Sequence, residues 1–314
     1  MIKVENLSKN YGDVQAVKSI NFELNDGEVV GFLGANGAGK STTLKVITGY
    51  LSPTKGNVYV NDLNILEHTH EIQKQIGYLP ELNPLYTEMK VFDLLEFTGN
   101  IRNVTGKKFK DALARVVEQC GLKGVIHKTV AECSKGYKQR IGLACAMIHD
   151  PKILILDEPV TGLDPNQIVE IRNLIKDLGT EKLVLMSSHI LQEIQATVNR
   201  IIIINNGEIV ADGTNEELMS NFVGNTKLKL EIKNSTDSSI QGLMEQIPHL
   251  KMLNNENKNG NQLIDLEYSK ETDPREELFK YAIKSKWVII EMSPQNANLE
   301  SIFRTLTTKE KTHA

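Results

Sequence analysis

Apolar and polar positions change rhythm several times along the 314 residues, and each change predicts a different kind of element. From residue 1 to about 30 they alternate, as in antiparallel strands with one buried face, and Tyr11-Gly12 supplies a turn. Glu28 to Leu33 then runs apolar and β-branched at its centre, the pattern of a buried strand. From Ser41 to Thr48, Leu44 and Ile47 fall at helical spacing, and Gly49 stops the helix. Residues 51–80 predict further short strands, broken at Pro53, Gly56 and Asn61-Asp62. Between about Leu85 and Ile148 the period becomes helical, carried by Val91, Leu94, Leu95, Leu113, Val116 and Val117, until His149-Asp150-Pro151 ends it. Lys152 to Asp157, Val184 to Ser187 and Arg200 to Ile204 predict buried strands, with helices over about 166–178 and 190–197 between them. Strands and helices in that alternation make an α/β core.

Beyond about Phe222 a second unit begins. Strands are predicted at Lys227 to Ile232, Lys251 to Asn254, Gln262 to Glu267 and Trp287 to Glu291, and helices at Ser238 to Gln246 and Arg275 to Ile283. That order, β-α-β-β-α-β, is the split-βαβ, ferredoxin-like one. Asn254 to Asn261 reads as a polar loop, and a last amphipathic helix carries Leu299, Ile302, Phe303 and Leu306 on one face. The expected division is 1–221, with a helical subdomain at about 85–150, followed by 222–314 beginning at a polar junction near Asn221 to Asn225.

Composition narrows the classes. Hydrophobic residues make up 40% and charged ones 24%, as in an ordinary globular protein, and the net charge of −4 offers no bulk attraction to nucleic acid. The three cysteines, Cys120, Cys133 and Cys145, show no C-x-x-C spacing and read as free thiols of a reducing compartment. Met1-Ile2-Lys3-Val4-Glu5 begins like a strand rather than a signal peptide. The longest aliphatic run, Ile201 to Ile204, is far short of the ~20 residues of a membrane span. A membrane process would need its spans from another chain.

The stretch between the first buried strand and the helix after it carries chemistry. Gly34 to Ser41 reads G-x-x-x-x-G-K-S, and the pattern acquires meaning from the strand before it and the helix after it. Backbone N–H groups of Asn36, Gly37, Ala38, Gly39, Lys40, Ser41 and Thr42 can then ring a phosphate at the positive end of a helix. In such a loop Lys40 would reach the β- and γ-phosphates and the Ser41 hydroxyl would ligate Mg²⁺. Downstream, the apolar run Ile153 to Leu156 ends in Asp157-Glu158: Asp157 can hold Mg²⁺ and Glu158 can polarise a water, although a strand ending in exposed acids is common.

Upstream of that strand lies Cys133-Ser134-Lys135-Gly136-Tyr137, where the sequence resembles the L-S-G-G-Q signature of ATP-binding cassette (ABC) ATPases. Ser134 and Gly136 are kept; Cys133, Lys135 and Tyr137 depart from the pattern. Ser134 can cap the helix running to Ile148, and its hydroxyl and the free N–H groups can meet a γ-phosphate, which in that family belongs to the partner subunit. The resemblance extends to Tyr11, at the place of the aromatic that stacks on adenine, where a tyrosine also serves plain packing. It extends to Glu81 in the Q-loop position, Gly162-Leu163-Asp164 as the D-loop and His189 as the switch histidine. Glutamate at 81 can ligate Mg²⁺ but lacks an amide's donor.

The resemblance covers about residues 2–220. Residues 77–86, 134–140, 163–168 and 299–304 further resemble a gliding-motility-associated subgroup, itself similar to multidrug and daunorubicin-type export ATPases. It implies an ATPase subunit of a transporter, with a P-loop α/β core, antiparallel β and helical subdomains and an accessory α+β unit. ATP and Mg²⁺ would be its cofactors. Glu158, His189 and Lys40 would be catalytic, with Ser41, Asp157 and Glu81 toward the metal and Tyr11, Ser134, Gly136 and Asp164 toward the nucleotide. Its partners would be a second copy, closing two ATPs in a sandwich, and a multi-span permease on the inner face of the cell membrane, with no nucleic acid. The alternative is a non-transport ABC ATPase acting on ribosomes or nucleic acid. Long coiled coils between the two phosphate motifs, two cassettes and a basic linker mark such proteins, and none is present.

Overall fold

Alternation at the N-terminus produces two long antiparallel strands, β1 (Ile2–Tyr11) and β2 (Val14–Leu24), with Ile2, Val4 and Leu7 turned inward. The computed structural model describes residues 1–222, 225–258, 260–269, 272–295 and 299–308. Strands β4 (Lys55–Val60) and β5 (Leu63–Asn64) extend the first pair into a sheet of order β2-β1-β4-β5. A second sheet is built on β3 (Val29–Leu33), buried at all five positions as its unbroken apolar run predicts. Its order is β10-β9-β3-β8-β7-β6, from β6 (Ile76–Leu79), β7 (Ile153–Leu156), β8 (Leu183–Ser188), β9 (Arg200–Asn205) and β10 (Glu208–Thr214). All neighbours are parallel except the edge pair β9–β10.

The two sheets share one core. Ile2, Leu24 and Val58 from the first meet Phe32, Ile155, Leu185 and Ile202 from the second, with Leu44 and Ile47 of helix α1 (Lys40–Ile47) among them. Phe22 and Phe32 bridge the layers with ring centroids 5.8 Å apart. Helix α2 (Thr69–Gln75) corrects the sequence expectation of strands throughout 51–80. It buries only Ile72, too short an apolar stripe for periodicity to reveal. The helical stretch consists of α3 (Val91–Ile101), α4 (Gly106–Gln119) and α5 (Lys135–Met147), all three in mutual contact. Helices α6 (Pro165–Gly179) and α7 (Leu191–Gln195) connect β7, β8 and β9, and α8 (Asn215–Phe222) follows β10.

The chain divides into two compact units, one of Met1–Asn215 together with the chain from Leu306, the other of Glu216–Thr305. The second contains β11 (Asn225–Lys233), α9 (Asp237–Gln246), β12 (Lys251–Lys258), β13 (Asn261–Ser269), α10 (Arg275–Lys284) and β14 (Val288–Gln295). Its sheet order, β12-β13-β11-β14 with every neighbour antiparallel, is that of the split-βαβ arrangement. Leu228, Leu230, Ile264 and Leu266 face Ile240, Leu243 and Leu278 in its core. The polar loop expected from Asn254 is strand as far as Lys258. All eight β12 residues are exposed on a sheet edge, where backbone pairing to β13 needs no apolar side chain. Residue 259, and 223–224 within the predicted junction, lie outside the described residues. The last helix, α11 (Leu299–Thr308), forms where its stripe predicts, with the Ile302 side chain outside the described residues. Among the described residues no helix is long and apolar enough to cross a membrane.

Candidate nucleotide site

Strands β3, β7 and β8 are parallel neighbours, so their carboxyl ends open on one edge of the sheet. Leu33 pairs with Ser188, and Leu156 with Met186. Whatever follows each strand therefore meets there, as ligand sites of open α/β sheets do. The loop 34–39 follows β3, Asp157-Glu158 follows β7, and His189 follows β8. A cleft of about 310 Å³ results, lined by Ala16, Asn36, Gly37, Gly39, Lys40, Ser41, Thr42, Glu81 and Glu158. Gly39, at the start of α1, has φ 108°, and a Cβ there would lie 2.6 Å from the Ala16 carbonyl oxygen, so only glycine fits.

Lys40 is almost wholly buried, its Nζ donating to the Gly34 carbonyl at 2.8 Å and the Ala35 carbonyl at 3.2 Å and lying 3.4 Å from Glu158 Oε1. Ser41 Oγ donates to Asp157 Oδ1 at 3.1 Å. His189 Nδ1 lies 2.9 Å from Glu158 Oε2. Five side chains from three strand ends thus gather in two bonded sets, Lys40–Glu158–His189 and Ser41–Asp157. Its hard oxygen donors, the Ser41 hydroxyl and the Asp157 carboxylate beside Glu81, suit Mg²⁺. No group of three or more His, Cys, Asp or Glu side chains that could hold a metal occurs among the described residues. A cation that keeps waters and takes oxygens from bound phosphate needs no such cage.

The other residues singled out in the sequence lie elsewhere. Tyr11 is exposed at the end of β1, with Lys9 Nζ 5.6 Å from its ring centroid, and is not among the residues lining the cleft. Ser134 caps α5, its Oγ accepting from the Tyr137 N–H at 3.4 Å. With Gly136 it borders a separate cleft of about 570 Å³ that also includes Tyr137, Arg140, Gln167 and Glu170. Asp164 caps α6, Oδ1 accepting from the Gln167 N–H at 3.0 Å. Within one chain, Ser134 and Gly136 do not line the Lys40 cleft.

Four further residues join and support these sets. Ser187 Oγ donates to Asp157 Oδ1 at 2.7 Å and accepts from the Glu158 N–H at 2.9 Å, holding the two carboxylates in order. Glu158 needs that support, since its backbone sits at φ 50°, a left-handed conformation costing about 1–3 kcal/mol in a non-glycine residue. Thr161 Oγ1 donates to Glu158 Oε2 at 3.0 Å. Behind them Ser188 Oγ donates to buried Glu193 at 2.7 Å and accepts from the Ile190 N–H, shaping the turn that carries His189. Burial pushes the Glu193 carboxyl up, against the pull of the Ser188 hydroxyl. The pair of serines closing a buried strand before His189 is a signal for Ser187 and Ser188 alone; the sequence reading missed Thr161 and Glu193.

A family model described as ABC transporter matches residues 17–161. The linearmycin resistance ATP-binding protein LnrL of Bacillus subtilis is 32% identical over 309 residues, covering 98% of this chain and 98% of its own. The bacitracin transport ATP-binding protein BcrA of Bacillus licheniformis is 36% identical over 78% of this chain and 79% of its own. Among solved structures, the dimeric bacterial ABC transporter cassette MJ0796 superposes with a TM-score of 0.63 at 25% identity, over 68% of this chain and 98% of that one.

Proposed function

The chain belongs to the family of ABC transporter ATP-binding proteins, and from that premise we propose that it powers export of an antibiotic or similar drug-like molecule through a separate permease. As an ABC transporter ATPase it binds and hydrolyses ATP. The observation that carries the ATPase reading is the cluster of Lys40, Ser41, Asp157, Glu158 and His189 at three adjacent strand ends, with Lys40, Asp157 and Glu158 buried. In this reading the 34–42 loop wraps the phosphates and Lys40 exchanges its carbonyl partners for the β- and γ-phosphate oxygens. Glu158 accepts a proton from the attacking water, and His189, hydrogen-bonded to the same carboxylate, contacts the γ-phosphate. A Mg²⁺ held by Ser41 and Asp157, with Glu81 beside it, would neutralise charge developing on the phosphates.

Ser134 and Gly136 have no share in their own chain's cleft, which supports a second copy supplying them across a two-fold sandwich dimer. Tyr11 and Asp164 would belong to the closed state, stacking on the base and meeting the partner. The permease would dock where exposed Tyr50 and Leu82 border a groove that Glu81 also lines, beside a second groove bordered by exposed Tyr86 and Ile101. The chain would thus work peripherally at the inner face of the membrane. The names of LnrL and BcrA favour antibiotic export. The likeness of residues 77–86 to the gliding-motility subgroup adds no separate chemistry. The test is capture of tagged chain from detergent-solubilised membranes of its own cells. A multi-span protein should co-purify with it and be lost on Leu82→Asp with Tyr86→Asp. Recovery with ribosomes instead would overturn the transport reading.

A further inference from the structure

A groove of about 640 Å³, walled by residues of α2, β6 and the end of α3, takes no part in the chemistry above. Lys74, His70, Tyr78 and Arg102 line it. Arg102 is half-buried, and its guanidinium donates to the Gln73 carbonyl at 2.7 Å. No carboxylate pairs with it among the described residues, and burial alone lowers its pKa. A cation drawn from water without a counter-ion is costly. The Tyr78 hydroxyl is also buried and has no hydrogen-bond partner. Burial and, after it, the Asp157 charge push that phenol up, so the hydroxyl keeps its proton to donate. Lys74 has no carboxylate partner either; its neighbour Glu71 lies 3.6 Å from His68 Nδ1.

The chain leaves the groove at Arg102 and turns straight into α4, which Phe109 holds back against Phe92 of α3 with ring centroids 6.1 Å apart. Residues 101–110 carry Arg102, Lys107, Lys108 and Lys110 and no acid, in a chain of net charge −4. The three lysines are exposed, and none pairs with a carboxylate among the described residues, nor does Asp111 beside them. Folding gains nothing from them, because cations at the positive end of a helix disfavour it.

The geometry points to this groove and the lysines beside it as a site for an anionic phospholipid headgroup. Arg102 and Tyr78 hold the phosphate, and Lys107, Lys108 and Lys110 lie over the charged leaflet. Arginine supplies the fork that phosphate geometry suits. Lysines on an exposed turn instead attract a fluid, diffuse charge without fixed geometry, which favours a lipid surface over an acidic protein segment. The groove shares Tyr50, Tyr78 and Ile101 with the grooves proposed for the permease, so it opens on the same face of the cassette. The inference deepens the proposed placement at the membrane and rests on it.

The experiment is co-sedimentation of the full-length protein with vesicles, in the absence of any permease. Phosphatidylcholine and phosphatidylglycerol in two-to-one ratio should bind it, pure phosphatidylcholine should not, and added salt should release it. Each lysine near such a surface is worth about fivefold, so Lys107→Gln, Lys108→Gln and Lys110→Gln together should weaken partition about 100-fold. The same change at Lys176, Lys251 and Lys258, also exposed and unpaired among the described residues, should leave it within about twofold of wild type. Tyr78→Phe deletes only the buried donor and should weaken partition about 2- to 10-fold without lowering the melting temperature. It decides the matter if the triple variant melts early. Equal binding to both vesicles, or a triple variant or a Tyr78→Phe protein that binds like wild type, would overturn the site. So would absent vesicle binding. A melting temperature then raised by inorganic phosphate would give the groove to a free anion, and a triple variant that no longer captures the multi-span protein would give the patch to an acidic permease segment. Recovery of the chain with ribosomes would instead remove the transport reading, and the vesicle result would stand apart from it.

Discussion

Glu158→Gln separates the two duties of the carboxylate, charge and shape. The side chain is 5% exposed and meets Lys40 Nζ at 3.4 Å, His189 Nδ1 at 2.9 Å and Thr161 Oγ1 at 3.0 Å. Glutamine fills the same space and keeps an acceptor for Thr161, so the turn after β7 survives. The negative charge that would take a proton from water does not. Loss of a general base costs about 10²–10⁴ in rate, roughly 3–5 kcal/mol of barrier. Stability suffers less than for an ion pair broken outright, because Lys40 retains the Gly34 and Ala35 carbonyls; a fall of about 1–2 kcal/mol without nucleotide is expected. With cleavage blocked and ATP still bound, closed dimers should accumulate. Light scattering on the purified variant should show an ATP-dependent monomer-to-dimer shift that ADP does not produce. Ser134→Arg in the same background should abolish the shift and leave ATP binding intact. Hydrolysis near the wild-type rate would refute Glu158 as the base, and a variant that stays monomeric in ATP would refute the sandwich.

Tyr11→Ala should raise the ATP dissociation constant roughly 5- to 150-fold if the exposed ring stacks on the base, since such stacking is worth about 1–3 kcal/mol; Tyr11→Phe should change little, and equal affinity in both would leave the residue only its contact with Lys9. The fragment 1–221 should fold and bind ATP, checked by melting and nucleotide titration; an insoluble fragment would make the C-terminal unit part of the cassette's stability. Burial, reinforced by nearby Arg102 and opposed by a hydrogen bond to the Ile76 carbonyl, lowers the His149 pKa from 6.5 to about 4. The unfolded chain therefore binds more protons at this residue between those values, and stability falls as pH drops through that window. His149→Gln should flatten this part of the stability–pH curve in denaturant titrations; an unchanged slope would show that His149 does not set it.

The phosphate loop was legible in the sequence because its physics is local: a buried strand, a glycine-rich turn and a helix start within a dozen residues dictate where the N–H groups point. Asp157 and Glu158 were legible for a related reason, since they stand directly after an apolar run whose carboxyl end opens on the sheet edge, whereas His189 was reached through the family resemblance and its place after a strand. The βαββαβ order of the C-terminal unit also followed from period alone. Tertiary structure decided what depends on partners distant in sequence. Ser187 bridges Asp157 and Glu158 only because β7 and β8 are neighbours in register, and Lys135 meets Gly162 only because α5 packs beside the turn before α6. It also decided α2 and the outer half of β12, where one buried isoleucine or a row of polar edge residues gives periodicity nothing to detect. Local pattern fixes which backbone groups are presented, whereas the pairing of strands and helices fixes which side chains they are presented to.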